Sequence, residues 1–297
     1  MASRVTQSML NTQLIRNLNK NMARMDNLQN QLATGRIINR PSDDPVGISY
    51  SMRYRSELSA NTQYGENVDS SLSWLEQADT TSNLIGSLFQ RVRELTVQGA
   101  HDSNPQSARD AIASEVNELS EQLITLGNSQ FNGKYIFNGQ KTDLEPYSRT
   151  DPSSSIPDEG LIAIEIGVGV KISVSVSGSR VFGSSTDADN AFKILSDLKN
   201  SLTSGDSAGI QTAMGHLDTR LNKFLEVRAD IGAKMNRISL AKDRLEDINI
   251  NVRQLQSKTE DADIAALITS LKTDEAVYQA SLSVGSRIIQ PSLIDFL

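Results

Sequence analysis

The chain has 297 residues, of which 38% are apolar and only 5% aromatic, a lean supply for a compact enzyme core but adequate for helices with narrow seams. A formal charge of −7, without a visible cluster of Lys and Arg, argues against a nucleic-acid partner. The absence of cysteine excludes disulfides, thiolate metal sites and cysteine nucleophiles, and no apolar run approaches the roughly 18 residues that insert into a membrane.

From the N-terminus, Leu14, Leu18, Met25, Leu28 and Leu32 keep a three-four spacing with Asn21 at one seam position, the pattern of a coiled-coil helix. This segment lacks the apolar core of a cleavable signal peptide, so the general secretory route is not expected. Pro41 and Pro45 then interrupt the pattern, and Ser42 or Asp43 is expected to cap a helix starting near Pro45.

Val68, Leu75, Ala78, Ile85, Phe89 and Val92 continue at helical spacing, with Ser71, Ser82 and Thr96 at the remaining seam positions. One helix over about 46–98 is predicted, roughly 80 Å long at 1.5 Å per residue, and hence an elongated molecule. Asn104 and Pro105 suit the start of a second helix bearing Ile112, Val116, Leu119, Leu123 and Leu126, which should fold back as a helical hairpin.

Asn132-Gly133 and Asn138-Gly139 bracket a short predicted strand, Lys134 to Phe137. Residues 141–160 are polar and hold three of the seven prolines, so an exposed loop is expected. Ile162, Ile164 and Ile166, then Gly167-Val168-Gly169, then Ile172, Val174 and Val176 read as a β-hairpin with one apolar face.

Helical pattern resumes near 187 with Phe192, Leu195, Leu198 and Leu202, and again from Met214 through Leu217, Leu221, Phe224, Ile231, Met235, Ile238 and Leu245. It shifts phase to Ile248, Val252, Leu255 and Ala262, a stutter that a long coiled coil tolerates. Leu267, Leu271, Tyr278, Leu282 and Ile289 close the chain as one more stripe.

The two ends carry opposite charge. Residues 1–40 hold six cations against Asp26, about +5, while residues 258–297 hold three cations against six acids, about −3. The ends are therefore suited to pair, giving a mainly α fold with both termini together and a small β-rich domain in mid-chain. The expected division is 1–45 with 258–297 as a terminal coiled-coil assembly domain, 46–139 with 186–257 as a helical bundle, and 140–185 as the β-rich outer domain.

Signals for catalysis are weak. Gly205-Asp206-Ser207-Ala208-Gly209 matches a nucleophile elbow, which needs a strand before it, whereas Leu195, Leu198 and Leu202 mark a helix there. His101 and His216 have no partner at metal-ligand spacing. Asp187-Ala188-Asp189-Asn190 and Asp261-Ala262-Asp263 lack the Gly and Glu of a calcium loop, and Asp187 or Asp189 is expected to cap a helix. No catalytic residue, metal or cofactor is expected. A serine hydrolase using Ser207 stands as a remote alternative.

Thr34-Gly35-Arg36-Ile37-Ile38-Asn39-Arg40-Pro41-Ser42-Asp43-Asp44-Pro45-Val46-Gly47 resembles the loop after the first helix in the flagellin superfamily. Arg4 to Leu10, Tyr135-Ile136-Phe137-Asn138-Gly139, Tyr278 to Leu282, and Gln290-Pro291-Ser292-Leu293-Ile294-Asp295-Phe296-Leu297 extend the resemblance over essentially the whole chain. The Pro-Ser-Asp-Asp-Pro and Leu-Ile-Asp-Phe-Leu stretches look more like the hook-filament junction members than like filament flagellin, which remains the alternative.

The resemblance implies a non-enzymatic structural adaptor of the bacterial flagellum, outside the cell, exported unfolded by the flagellar type III apparatus. It implies self-assembly as a ring, contact with a neighbouring hook-associated junction protein and with flagellin, and an export chaperone bound over about 260–297. The expected assembly interface comprises Leu14, Leu18, Asn21, Met25, Leu28, Leu32, Asp43, Asp44, Leu267, Leu271, Tyr278, Leu282, Ile289, Leu293 and Phe296. Short helices with exposed seams are marginal alone, so the terminal pair is expected to be disordered in the free subunit and to order on assembly.

Overall fold

A computed structural model describes residues 7–101 and 104–289, without the side chains of Gln7 and of residues 287–289. The fold is mainly α. In chain order the elements are α1 (Gln7–Thr34), α2 (Pro45–Gly99), α3 (Gln106–Gly127), β1 (Gln130–Phe131), β2 (Lys134–Tyr135), β3 (Ala163–Gly167), β4 (Val170–Ser173), α4 (Gly178–Phe182), α5 (Ala191–Ser204), α6 (Ser207–Glu260) and α7 (Ile264–Ile289).

The chain divides into two compact units, Met1–Ala60 with Ile248–Leu297, and Asn61–Asp247. Each is assembled from both halves of the sequence. In the second unit the anticipated seam of α2 is the core: Val68, Leu75, Ile85, Phe89 and Val92 are all fully buried. The hydroxyls at its polar positions are satisfied within the helix, Ser71, Ser82 and Thr96 each donating to the carbonyl four residues earlier. From α6, Phe224 meets Phe89 edge to face at 5.5 Å, the favoured geometry for two aromatic quadrupoles. Helix α3 packs along α5, and Arg91 on α2 reaches Glu115 on α3 at 2.7 Å.

Several local expectations change. Asn104 does not cap α3; its amide donates to the Gln98 carbonyl, and Pro105 occupies the cap position in extended backbone. The strand after Asn132-Gly133 is only Lys134–Tyr135, paired with Gln130–Phe131 across a turn where Asn132 and Gly133 both have positive φ. Ile136 and Phe137 leave it to enter the core. The 141–160 loop is not wholly exposed, because Tyr147 is buried among Phe182 and Phe192 at centroid distances of 5.1 and 4.8 Å. Burial raises the Tyr147 phenol far above its ordinary pKa.

Strands β3 and β4 form the anticipated hairpin, with Ile164 opposite Ile172 and a bulge between Glu165 and Gly167. Ile166, Ile172, Val174 and Val176 are buried, whereas Val168 at the tip is exposed. Helix α5 is capped by neither Asp187 nor Asp189. The Asn190 side chain accepts from the amides of Phe192 and Lys193 at 3.0 and 3.1 Å.

The two aspartates serve the fully buried Arg220 of α6 instead. Asp189 sits 2.7 Å from a terminal nitrogen of Arg220 and Asp187 sits 3.7 Å away. Arg220 Nε also donates to the Asp189 carbonyl at 2.7 Å and Nη1 to that of Arg180 at 3.3 Å. Burial lowers the Arg220 pKa and the two carboxylates oppose that fall. One guanidinium thus fastens the segment from α4 to α5 onto α6.

Candidate assembly interface

The first unit is organised by the pairing of α1 with α7. The least exposed positions of α1 repeat every three or four residues through Leu14, Leu18, Asn21, Met25, Leu28 and Leu32, as the spacing predicts. The matching stripe of α7 runs Leu267, Leu271, Asp274, Tyr278, Ser281 and Gly285. Most of these side chains are only half-buried, since two helices alone cannot close a core. Leu282 points off this stripe and is 46% exposed. The Ile289 side chain, Leu293 and Phe296 lie outside the described residues.

Polar contacts mark the middle of the pair. Arg24 donates to the carboxamide oxygen of buried Asn21 and to Asp274 at 3.2 Å, a specific case of the opposite charge of the two ends. Gly285 permits close approach: a Cβ there would lie 2.7 Å from a Leu14 methyl carbon. Although the Met22 sulfur accepts from the Tyr278 hydroxyl across the pair, Met9, Ile15 and Met22 on α1 and Ile264, Ile268 and Val284 on α7 are exposed. So are Val46, Tyr50 and Met52 at the start of α2. This is a concentration of large apolar side chains on one small unit.

The loop between α1 and α2 gives its two aspartates different tasks. The Asp43 carboxylate accepts from the amides of Asn39 and Arg40 at 3.1 and 2.8 Å, holding the loop in shape. Asp44, rather than Ser42 or Asp43, caps α2 by accepting from the Val46 amide at 3.0 Å. Gly47 is required where it stands, because a Cβ would overlap the Asp44 carboxylate and the buried Ile38 side chain.

The connections α1–α2 and α6–α7 are hydrogen-bonded to each other. The Ile37 amide donates to the Glu260 carbonyl at 2.7 Å and the Ala262 amide to the Gly35 carbonyl at 3.0 Å, around an Arg36–Asp261 bridge. Beneath this clasp the Glu260 carboxylate is buried. It accepts from Ser51, from Arg55 at 3.0 and 2.6 Å and from Gln256 at 3.2 Å, and pairs with Arg36 at 3.5 Å. Sequence reasoning missed Glu260. A single acid ending a long helix reads as solvated, and its Ser51 and Arg55 partners lie more than 200 residues away. The stutter beyond Ile248 is only partly buried: Val252 is inside, whereas Leu255 is exposed.

Burial alone would raise the Glu260 pKa, but the hydrogen bonds from Arg55, Ser51 and Gln256 prevail and hold it at about 2. A depressed carboxyl pKa contributes stability above the unfolded value near 4.5, and that contribution fades as pH falls toward 2. The shift corresponds to at most about 3 kcal/mol. Amide protection factors at Ile37 and Ala262, corrected for intrinsic exchange, should fall between pH 5 and pH 3; flat protection there would show that the carboxylate does not hold the clasp.

The catalytic candidates do not assemble. Gly205 is the left-handed cap of α5, with φ 72°, and Ser207 opens α6, so the motif joins two helices instead of turning from a strand. His101 is exposed and His216 lies half-buried on α6. Asp263 accepts from the Ala266 amide as the cap of α7. Among the described residues no three His, Cys, Asp or Glu side chains are grouped to hold a metal, and no helix is long and apolar enough to cross a membrane.

Comparison with known proteins agrees with this architecture. The bacterial flagellin N-terminal helical region matches residues 5–142, and the C-terminal helical region matches residues 214–297. A flagellin of Clostridium tyrobutyricum is 29% identical over 150 residues, 50% of this chain; the chain spans only 40% of that relative's length. Flagellar hook-associated protein 3 of Escherichia coli K12 is 23% identical over 94% of both chains. A solved structure of flagellar hook-associated protein 3 from Legionella pneumophila superposes with a TM-score of 0.62 at 15% identity, covering 70% of this chain and 98% of that one.

Proposed function

Since the chain belongs to the bacterial flagellin family, we propose that it is a structural adaptor at the hook-filament junction that assembles as a ring. The observation that carries the reading is the α1–α7 pair: a half-closed seam with large apolar side chains exposed around it. Such a surface is incomplete in one subunit and gains its missing cover when neighbours pack alongside. The partners that fit are further copies of the chain, a hook-associated junction protein on one side and flagellin on the other. Leu14, Leu18, Asn21, Met25, Leu28 and Leu32, with Leu267, Leu271, Tyr278 and Leu282, form the proposed interface together with Asp43, Asp44 and the C-terminal Ile289, Leu293 and Phe296.

The near full-length match to the Escherichia coli hook-associated protein favours the adaptor over a filament subunit. The higher identity of the Clostridium tyrobutyricum flagellin over half the chain favours the second reading, an indefinitely polymerising flagellin. Export through the flagellar type III apparatus, with a chaperone on residues 260–297, completes the proposal.

Electron microscopy of the purified protein, alone and mixed with hook fragments carrying the preceding junction protein, tests it. The adaptor gives short collars on the fragment ends. Long regular filaments from the protein alone would establish the flagellin reading, and bare fragments would refute both.

A further inference from the structure

We infer that Glu260 is the positioning residue that sets the register of the terminal helix pair. The consequence for assembly rests on the function proposed above; the register itself does not.

The seam is a poor register device. Its apolar positions repeat every three or four residues and are mostly half-buried, so apart from the Arg24–Asp274 contact and the Leu14–Gly285 approach they discriminate only weakly against a slide of α7 by seven residues. The clasp has no such degeneracy. Two backbone hydrogen bonds set Ile37 and Gly35 opposite Glu260 and Ala262, one residue beyond the end of α1 and two before the start of α7. Rigid helices carry that alignment outward at about 1.5 Å per residue on both arms.

A clasp of two hydrogen bonds needs an anchor, and the Glu260 carboxylate supplies it. It is held at once by Ser51 and Arg55 of α2, by Gln256 of its own helix and by Arg36 of the opposing connection. Ser51 is fully buried, so the anchor point on α2 does not move with solvent-side fluctuations. No other acid in the first unit combines burial with partners from three segments, among the described residues.

The cysteine-free chain makes the register measurable. Leu14 Cγ lies 3.6 Å from the Cβ position of Gly285, so a Leu14→Cys, Gly285→Cys pair is placed to form a disulfide in register. A Leu14→Cys, Tyr278→Cys pair reports a slip of seven residues. Register control of this kind requires α1 and α7 to pair in the isolated subunit, against the disorder expected from the sequence; there Glu260→Gln should slow closure of the 14–285 pair about tenfold or more, the factor associated with losing one charge-assisted hydrogen bond. The 14–278 pair should become detectable in the same background.

Glu260→Asp, which keeps the carboxylate, should recover most of the in-register rate. Closure of 14–285 at the original rate in Glu260→Gln would overturn the inference. Equal slowing by Glu260→Asp and Glu260→Gln would do the same, as would unfolding of the 61–247 unit, which would make Glu260 a general stability residue. Failure of the unmodified protein to join hook fragments would count against the adaptor alone.

Discussion

Asp189→Ala should lower the stability of the 61–247 unit by about 3 kcal/mol, because it strands a guanidinium that has no access to water. Arg220 is 1% exposed, and Asp189 is its nearest carboxylate at 2.7 Å. The Asp187 carboxylate at 3.7 Å and the backbone carbonyls of Asp189 and Arg180 remain after the substitution, which holds the loss to the lower end of the range for broken buried pairs. For a unit of this size the midpoint of thermal unfolding should drop by roughly 6–12 °C. The double variant Asp189→Ala, Arg220→Met should be more stable than Asp189→Ala alone, since the buried charge that Asp187 only partly compensates leaves with its main partner. A loss below about 1 kcal/mol in the single variant would mean that water reaches Arg220 and that the fastening is not electrostatic.

The second large effect concerns assembly. Leu18→Asp places a carboxylate in the half-closed seam between α1 and α7, where it has to be desolvated whenever the surface is covered by neighbours. Incorporation into hook-end collars should be abolished, and a strain relying on this variant should lose swimming. The 61–247 unit shares no seam with Leu18, so its thermal transition, followed through Trp74, should stay in place. Leu282→Asp tests the surface beyond the seam, because Leu282 is exposed in the subunit. If it destroys assembly without disturbing the 14–285 contact, the outer face of α7 is a contact between subunits; unimpaired assembly would remove Leu282 from the interface.

What the sequence made legible follows from how local each cause is. The seams of α1, α2 and α6, the β3–β4 hairpin and the helix-to-helix nature of the Ser207 turn depend on spacing within ten or twenty residues, and these were readable. Caps were harder, because neighbouring polar residues compete for the same amides: Asp44 took the role expected of Ser42 or Asp43, and Asn190 that of Asp187 or Asp189. Tyr147 sat in a stretch whose prolines and polar residues suggested exposure, and only the aromatic side chains around it explain its burial.

The candidate site was half visible in the same sense. Asn21 stood out as the polar member of an apolar seam, and the charge of the two ends suggested their pairing. The Glu260 anchor and the Gly285 approach left no local trace, since each exists only once segments some 200 residues apart or more are brought together.

The division of the terminal unit between distant parts of the sequence has a consequence for the order of folding. The 61–247 unit is contiguous and can form without either end. The unit that carries the candidate interface needs residues up to 60 and residues from 248 onward, with the Ser51–Glu260 contact closing a loop of 209 residues. Once the 61–247 unit has folded, with the Asn61 amide bonded to the Leu245 carbonyl, the two segments are already brought together, so this unit should form last, on that template. A chain truncated before residue 248 would keep the contiguous 61–247 unit but would lack α7 and Glu260, so α1 would have neither its seam partner nor the clasp. The α1–α7 interface is therefore complete only once the C-terminal segment has joined the chain.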